Sequence, residues 1–306
     1  MLKLGVIGMS KGNGHPYSWS AIINGDFNRK EMDGCGFAGI PIYLEANSDT
    51  LGINGVQVTH VWTQDKNLST HIAKASGVEN VVDSMEDMIG EVDGVLLARD
   101  DPENHVAMAK PFLDANVPIF IDKPLAISKK DLTYFAKQNE KGKLLMSSSS
   151  MRYSSECRAA KTELASLGKI ELATVVGKKD WVKYGVHMLE ALFAILDDPK
   201  VVSVQNVGKF GQDIVLIQFE SGLQVTVHLF MDIVATFQLT LFGSNGWRLV
   251  DIKNSYSMFK ENINEFVRSV REGQSRIPFE KTENIIRTLI AAKESLQLNG
   301  KKIHLN

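Results

Sequence analysis

A glycine-containing loop near the start of the chain has the composition of a phosphate-binding loop. The segment GVIGMSKGNGHPYSW occupies residues 5–19, follows an apolar run and leads into a helix predicted to begin at Pro16. Backbone amides at a helix N-terminus attract phosphate groups, and small residues allow them to approach closely. The loop departs from the G-x-G-x-x-G fingerprint because Ser10 stands at the middle glycine. Two interpretations follow: an altered dinucleotide loop, or an ordinary glycine-rich turn.

The predicted cofactor contacts in this loop are Gly8, Ser10, Gly12, Asn13, Gly14 and His15. His15 lies where the loop meets the helix, so it either caps the helix or contacts the nicotinamide or the substrate. At the end of the second predicted strand an acidic residue would usually hold the adenosine ribose. Thr63 lies near that position, with Asp65 two residues later, and Lys66 could tolerate a 2′-phosphate. The sequence therefore allows either NAD or NADP.

The first half of the chain alternates short apolar runs with helical spacing. Strands are predicted at 2–8, 56–62, 92–98, 117–122 and 143–149, with helical stretches between them. The runs are continuously apolar, as in strands buried on both faces. This order predicts an α/β domain with a doubly wound parallel Rossmann sheet. The glycine-rich connection 26–55 is long, and we interpret it as a partial lid over the adenosine end or a subunit contact.

In the second half of the chain, apolar residues recur at every second position. Apolar and polar residues alternate along LQVTVHLF at 223–230, and TFQLTLFG at 236–243 follows the same pattern. The alternation predicts a mostly antiparallel open sheet with one covered face and one more polar face. Two helices are predicted at about 259–272 and 281–298. We therefore expect a Rossmann domain at 1–150 and an α+β substrate and oligomerisation domain at 151–306.

Composition excludes several classes of protein. The 306 residues carry a net charge of −2, which provides no electrostatic attraction for nucleic acid or an anionic membrane surface. The longest apolar runs are strand-sized, and the first residues enter a strand pattern without a signal peptide. The two cysteines, Cys35 and Cys157, show neither metal-binding nor redox spacing. We expect a cytoplasmic protein with no metal and with no nucleic-acid or membrane partner.

The segment FIDKPLA at 120–126 resembles the E-K-P motif of the Gfo/Idh/MocA family, which includes glucose–fructose oxidoreductase and inositol dehydrogenase. Asp122 replaces the glutamate, whereas Lys123 and Pro124 match the motif. The family's loop after the fourth strand resembles the segment VDGVLLARDDPENH of this chain. The predicted cofactor contacts in these two segments are Arg99, Asp122, Lys123 and Pro124. The segments 151–170 and 291–305 are similar to the start and end of the second domain, so the resemblance covers nearly the whole chain.

The resemblance implies hydride transfer between a nicotinamide cofactor and a hydroxyl or carbonyl group of a sugar, polyol or related small molecule. It also implies a homodimer or homotetramer joined through the second-domain sheets. A lysine at the carboxyl edge of a parallel sheet points into the ligand crevice. The ammonium of Lys123 can therefore contact the cofactor and steady an alkoxide on the substrate.

The family's second catalytic element, D-x-G-x-H, resembles KDWVKYGVHMLEAL at 179–192. Gly185 and His187 match, and we predict His187 as general base. Lys183 stands at the aspartate position, where a charged lysine cannot accept a proton and would lower the pKa of a nearby histidine. Asp180 could supply the missing carboxylate only if the helix already includes it.

The predicted catalytic residues are thus Lys123 and His187, and the predicted substrate contacts are Lys123, Arg152, Lys183, Tyr184 and His187. Two alternative functions stay open. One is a catalytically decayed regulatory or ligand-binding protein that still binds NAD(P), for which Lys183 is the main argument. The other is a relative that uses NAD transiently in glycoside cleavage. Net production of NADH separates the dehydrogenase from both alternatives.

Overall fold

The computed structural model describes residues 1–305, and the chain divides into two compact units. The first unit comprises residues 1–125, 133–147 and 259–279, and the second comprises residues 126–132, 148–258 and 280–305. Each unit contains its own sheet, and we describe the two separately.

The first unit is built on a six-stranded parallel sheet. Its strands are β1 (Leu2–Ile7), β2 (Val56–Trp62), β3 (Asn80–Val81), β4 (Gly94–Leu97), β5 (Ile119–Ile121) and β6 (Leu145–Met146). The spatial order β3-β2-β1-β4-β5-β6 is that of a doubly wound Rossmann sheet. All four residues of β4 are buried, as the continuous apolar runs predicted. The predicted fold class is confirmed, and the order reverses between β1 and β4, where such sheets bind ligands.

The helices of the first half are α1 (His15–Asn24), α2 (Arg29–Asp33), α3 (Gly39–Glu45), α4 (Lys66–Ser76), α5 (His105–Asp114) and α6 (Lys129–Glu140). Helix α1 begins one residue before the predicted Pro16, and it ends at Asn24, because Gly25 after it has a φ of +82°, in the left-handed conformation. The connection 26–55 contains α2, α3 and a 3₁₀ turn at Ser48–Thr50. Its apolar run GIPIYL lies in α3, where Ile40 and Leu44 are buried.

The second unit contains a seven-stranded sheet of order β12-β11-β7-β10-β9-β8-β13. Its strands are β7 (Ile170–Lys178), β8 (Val201–Asn206), β9 (Gln212–Phe219), β10 (Gln224–Phe230), β11 (Phe237–Gly243), β12 (Trp247–Asp251) and β13 (Ile303–His304). The pairs are antiparallel except β7 with β10. Val225, Val227 and Leu229 are buried on one face of β10, which confirms the alternation predicted for that strand.

The remaining helices are α7 (Ser155–Glu163), α8 (Trp181–Ile195), α9 (Ser255–Glu272) and α10 (Phe279–Gln297). Helix α8 is apolar over most of its length, and ten of its residues are buried, so it packs as a core helix of the second unit. None of the helices within residues 1–305 has the length and apolar character that a membrane span requires.

Candidate active site

Loops that follow β1, β4 and β5 meet at the carboxyl edge of the parallel sheet, because these three strands are neighbours. Ser10, in the loop after β1, donates its hydroxyl to Oδ1 of Asp100 at 2.5 Å. The amide of Asp100 in turn donates to Oγ of Ser10 at 3.0 Å. Nζ of Lys123, just after β5, lies 3.6 Å from Oδ2 of Asp100. The serine at the altered fingerprint position therefore joins the same cluster as the predicted catalytic lysine.

A second carboxylate, Asp122, lies fully buried beside this cluster. Its Oδ2 accepts hydrogen bonds from Nδ2 of Asn13 at 2.7 Å and from Nδ1 of His15 at 2.6 Å. Its Oδ1 accepts from the amide of Lys123 at 2.8 Å. Burial alone would raise the pKa of Asp122, but the charges of His15 and Lys123 and the hydrogen bonds hold that pKa well below its usual range. Asp122 is therefore an ionised carboxylate in the interior.

His15 is held by its neighbours as well as by Asp122. Its imidazole stacks on Trp19, with ring centroids 4.4 Å apart, and meets the edge of Phe259 at 5.2 Å. Its backbone amide donates to Oδ1 of Asn13 at 2.9 Å. The Asn13 side chain thus caps the first turn of α1 and also contacts Asp122, a double role that the sequence pattern did not indicate.

The glycines of the loop after β1 fit a dinucleotide phosphate. Gly12 has a φ of +84°, and a Cβ there would meet nothing within 4 Å, so its backbone is open to a ligand. Among residues 1–305 the backbone amide of Gly14, directly before α1, has no hydrogen-bond acceptor. A Cβ on Gly8 would lie 2.4 Å from Cγ of Pro16, so this glycine is required by packing on the helix. An open backbone and an unused amide at a helix N-terminus suit an anionic group.

Arg99 connects the loops that follow β1, β2 and β4. Its guanidinium binds Asp101 through two hydrogen bonds of 2.9 and 2.5 Å and donates to Oε1 of Gln64 at 2.9 Å. Gln64 exchanges hydrogen bonds of 2.8 and 3.3 Å with the backbone of Met9. Gln64 was not among the predicted contacts, since nothing in its type or spacing marks it.

Thr63, Asp65 and Lys66 have partners at the start of α4. The hydroxyl of Thr63 donates to the carbonyl of Asp65 at 2.7 Å and lies 2.9 Å from Oγ of Ser69. Asp65 caps α4, and Lys66 pairs with Asp83 at 2.6 Å. These contacts favour a structural role for Thr63 in the turn that leads into α4, and its cofactor contact stays a prediction.

His187 lies on α8 in the second unit, with its Nδ1 2.5 Å from Oγ of Ser149. The ring of Tyr184, one turn earlier, lies 5.1 Å from the imidazole and stacks on Phe237 at 5.9 Å. The hydroxyl of Tyr184 accepts a hydrogen bond from Nζ of Lys179 at 2.5 Å. An aromatic and a basic side chain thus accompany the predicted catalytic histidine.

Asp180 is the N-cap of α8 and lies outside the helix. Its carboxylate accepts a hydrogen bond from the amide of Lys183 at 3.0 Å. The condition under which Asp180 could replace the missing aspartate on the helix is therefore not met, because its carboxylate serves to cap the first turn.

Arg152 forms a buried ionic cluster. Its Nε donates to Glu190 at 2.5 Å, and its two Nη atoms donate to Asp198 at 3.1 and 2.7 Å. Burial alone would lower the pKa of Arg152, but the two carboxylates raise it above its usual value, so the guanidinium stays charged. These bonds favour a structural role for Arg152 over the predicted substrate contact.

The predicted site residues thus lie in two groups, one in each unit. The first unit brings together Ser10, Asn13, His15, Arg99, Asp122 and Lys123 with the glycines of the loop, and the second contains Arg152, Lys183, Tyr184 and His187. Among residues 1–305 no group of three or more histidine, cysteine or carboxylate side chains is arranged to hold a metal ion.

Residues 32–149 match the model of the Gfo/Idh/MocA oxidoreductase family, described by its NAD-binding Rossmann fold. The matched segment includes the Asp-Lys-Pro step and begins after the altered glycine loop. No curated protein matches the chain.

Solved structures share the fold over the whole chain. A probable dehydrogenase from Thermotoga maritima has a TM-score of 0.79 at 15% identity, with 99% of this chain and 98% of that chain covered. A myo-inositol 2-dehydrogenase from Lactobacillus plantarum has a TM-score of 0.78 at 16% identity, with 100% and 99% covered. A myo-inositol dehydrogenase from Lactobacillus casei, solved with NAD(H) and myo-inositol, has a TM-score of 0.76 at 15% identity, with 100% and 97% covered. At these identities the likeness shows the fold.

Proposed function

We propose that this chain belongs to the Gfo/Idh/MocA oxidoreductase family and is a dehydrogenase that uses NAD to oxidise a hydroxyl group of a sugar or polyol, or to reduce the corresponding carbonyl. The observation that carries the proposal is the position of Lys123. Its side chain is 8% exposed and lies at the carboxyl edge of the parallel sheet, beside Asp100 and in the same unit as the open glycine loop.

The loop after β1 would hold the cofactor. The open backbone at Gly12 and the unused amide of Gly14 can face the pyrophosphate at the N-terminus of α1. When bound, the nicotinamide supplies the hydride chemistry. Arg99 stays a proposed contact because it lies in the loop after β4, next to that after β1. Pro124 stays one as the residue after Lys123. The preference between NAD and NADP is part of the proposal to be measured.

Lys123 would act on the substrate oxygen. Oδ2 of Asp100, 3.6 Å away, and the backbone hydrogen bond to Asp122 limit where its ammonium can point. A positioned ammonium stabilises negative charge that develops on oxygen during hydride transfer. We propose His187 as the second catalytic residue, with Lys183 and Tyr184 on the same helix as substrate contacts.

The proposed substrate class rests on the relatives and on the polar side chains of the site. Two of the three similar structures described above are named as myo-inositol dehydrogenases. Ammonium, imidazole and phenol groups are hydrogen-bonding partners suited to a compound with several hydroxyl groups. A cyclic polyol or a sugar is therefore the first class to test.

A screen of polyols and sugars with NAD and NADP tests this function, with reduced nicotinamide measured by absorbance. We expect net NADH formation with at least one polyol or sugar, and a kcat about 10²–10³-fold lower for Lys123→Met. Lys129→Met is the matched control, because Lys129 is an exposed lysine paired with Glu294, and it should retain wild-type turnover.

Other outcomes would overturn the proposal. Sugar release without net NADH would identify a glycoside-cleaving enzyme. Cofactor binding without turnover of any polyol or sugar would identify a regulatory or ligand-binding protein. Equal turnover by Lys123→Met and wild type would remove the catalytic role of Lys123.

We also propose that the chain forms a homodimer or homotetramer through the sheet of the second unit. Four apolar side chains on its uncovered face are exposed: Leu172, Phe242, Trp247 and Leu249. Phe242 pairs directly with Leu172 on one side and with Trp247 on the other, so the exposed groups are contiguous. The free thiols of Cys35 and Cys157 support a reducing, cytoplasmic location.

A further inference from the structure

Nδ1 of His187 contacts the hydroxyl of Ser149, and the other hydrogen bond of that hydroxyl determines which of the two groups donates. Ser149 is fully buried. Its Oγ accepts a hydrogen bond from the amide of Met151 at 3.2 Å and lies 2.5 Å from Nδ1 of His187. Within residues 1–305 these are the two partners of that hydroxyl.

The two partners determine which atom donates. A backbone amide can only donate, so Oγ of Ser149 acts as acceptor toward Met151 and still carries its own hydrogen. If Nδ1 of His187 also donated, this hydrogen would be buried without an acceptor, which costs about 1–3 kcal/mol. The arrangement that satisfies every group has the Ser149 hydroxyl donating to Nδ1.

Ser149 is held in place through its backbone. Its amide donates to Oε1 of Glu190 at 3.1 Å, and its carbonyl accepts from the amide of Arg152 at 3.1 Å. Glu190 is bound in turn by the guanidinium of Arg152. The hydroxyl therefore cannot turn away from His187 without disturbing a buried ionic cluster.

We propose that Ser149 donates to Nδ1 of His187 and so fixes the neutral tautomer that carries its hydrogen on Nε2. In this state the imidazole serves the substrate oxygen as a hydrogen-bond donor, and it is not the general base that the sequence predicted. The proton that leaves the substrate hydroxyl on oxidation then passes to the amine of Lys123, which returns it as an ammonium on reduction. Ser149 is then a positioning residue. The hydrogen bond from His187 to the substrate rests on the proposed function, whereas the tautomer of His187 does not depend on it.

The contrast with a carboxylate partner explains why the residue type matters. A carboxylate accepts the hydrogen of Nδ1 and leaves Nε2 bare, ready to accept a proton. A hydroxyl that donates to Nδ1 has the opposite effect. In this chain neither nearby candidate supplies a carboxylate to His187, because Lys183 occupies the aspartate position of the D-x-G-x-H pattern and Asp180 caps the helix. The group observed at Nδ1 is the hydroxyl of Ser149.

Nitrogen NMR of the ligand-free protein tests the tautomer directly. Long-range ¹H–¹⁵N spectra distinguish a hydrogen on Nε2 from one on Nδ1, and the His187 signals are assigned by their loss in His187→Gln. We expect the Nε2–H tautomer in wild type, a mixture in Ser149→Ala, and the Nδ1–H tautomer in Ser149→Asp. Ser154→Ala is the matched control, since Ser154 is an equally buried serine that caps α7 and its hydroxyl binds the amide of Cys157. It should leave the tautomer unchanged.

Kinetics test the role toward substrate. Glutamine can donate an amide hydrogen but cannot accept a proton, so His187→Gln should retain kcat within about 10-fold, whereas His187→Leu should lose about 10²–10³-fold. Equal losses in the two variants would support a general base and overturn the donor role. An Nδ1–H tautomer in wild type would overturn the proposal even if the dehydrogenase activity is found. Failure to find that activity leaves the NMR result intact, so the two failures are distinguishable.

Discussion

Nδ1 of His15 lies 2.6 Å from Oδ2 of Asp122, the residue that immediately precedes Lys123. The contact joins the loop after β1 to the loop after β5, across 107 positions of sequence. Because Asp122 also binds the amide of Lys123, the altered glycine loop and the Asp-Lys-Pro step form one hydrogen-bonded structure.

Replacing Asp122 by asparagine should destabilise the protein. The buried carboxylate accepts three hydrogen bonds, and loss of its charge should lower the free energy of unfolding by about 1–3 kcal/mol at pH 7. Chemical denaturation measures this change. Asp114→Asn is the control, since Asp114 is an exposed carboxylate paired with Lys110, and its denaturation midpoint should stay that of wild type.

The loss of stability in Asp122→Asn should depend on pH in a definite direction. The pKa of Asp122 is lower in the folded protein than in the unfolded chain, where it is about 3.9. Its contribution to stability is therefore complete above that unfolded value and is lost as the pH falls toward the folded pKa. The difference in unfolding free energy between wild type and Asp122→Asn should be constant from pH 7 to about 5 and shrink below about 4. A difference that grows on acidification would contradict the low pKa.

The segment 26–55 packs against the glycine loop, and Gly14→Ala tests that contact. A Cβ at Gly14 would lie 2.6 Å from Cδ1 of Ile40 and 2.8 Å from the ring of Phe37. Overpacking of this kind should cost about 1–3 kcal/mol in unfolding free energy. Ile40→Val removes one of the colliding atoms, so the double variant should be more stable than the sum of the single changes predicts. Strict additivity in denaturation experiments would argue against the contact.

Arg152→Met should be strongly destabilising. The substitution leaves the buried carboxylate of Glu190 without its cation, at a cost of about 3–5 kcal/mol, whereas Asp198 keeps its ion pair with Lys281 at 2.9 Å. Adding Glu190→Gln should recover part of the loss, because it removes the unpaired charge. If Arg152 instead served the substrate alone, urea denaturation would show wild-type stability while KM rises.

Trp247→Glu tests the proposed subunit contact. Trp247 is 66% exposed on the uncovered sheet face, and a charge there should dissociate an oligomer formed through that face. Light scattering after size exclusion should then give the 33.9 kDa mass of a single chain. Leu298→Glu, at a residue 47% exposed just after α10, should leave the wild-type mass unchanged. Equal masses for wild type and Trp247→Glu would locate the contact elsewhere or show that the chain is a monomer.

The two sheets were predictable because burial leaves a periodic pattern in the sequence. Continuous apolar runs predicted the parallel strands, and the alternation at 223–230 predicted the exposed and covered faces of β10. The parallel pairing of β7 with β10 was not predicted, since periodicity carries no information on which strands are neighbours. The run GIPIYL is too short for periodicity to separate helix from strand, and it forms α3.

The candidate site was predictable only where a motif marks a residue. Lys123 and His187 were found through such motifs, and the structure gives each of them polar partners. Ser149, which contacts His187, and Gln64, which contacts Arg99, were missed because these contacts join segments that are distant in the chain. Their types are common in loops, so residue type alone could not single them out.

Titration with NADH and NADPH, followed by nucleotide fluorescence, tests the account most directly. The wild-type protein should bind at least one of them, and Gly12→Val should weaken binding at least 10-fold because its side chain enters the open space of the loop. Gly90→Val is the matched control, since Gly12 and Gly90 have φ values of +84° and +91° and neither Cβ would meet an atom within 4 Å. The backbone strain is thus about equal, roughly 1–2 kcal/mol for each. Binding that is lost in Gly12→Val and kept in Gly90→Val is the result that we predict. No binding by wild type, or equal binding by Gly12→Val, would contradict a cofactor site in this loop.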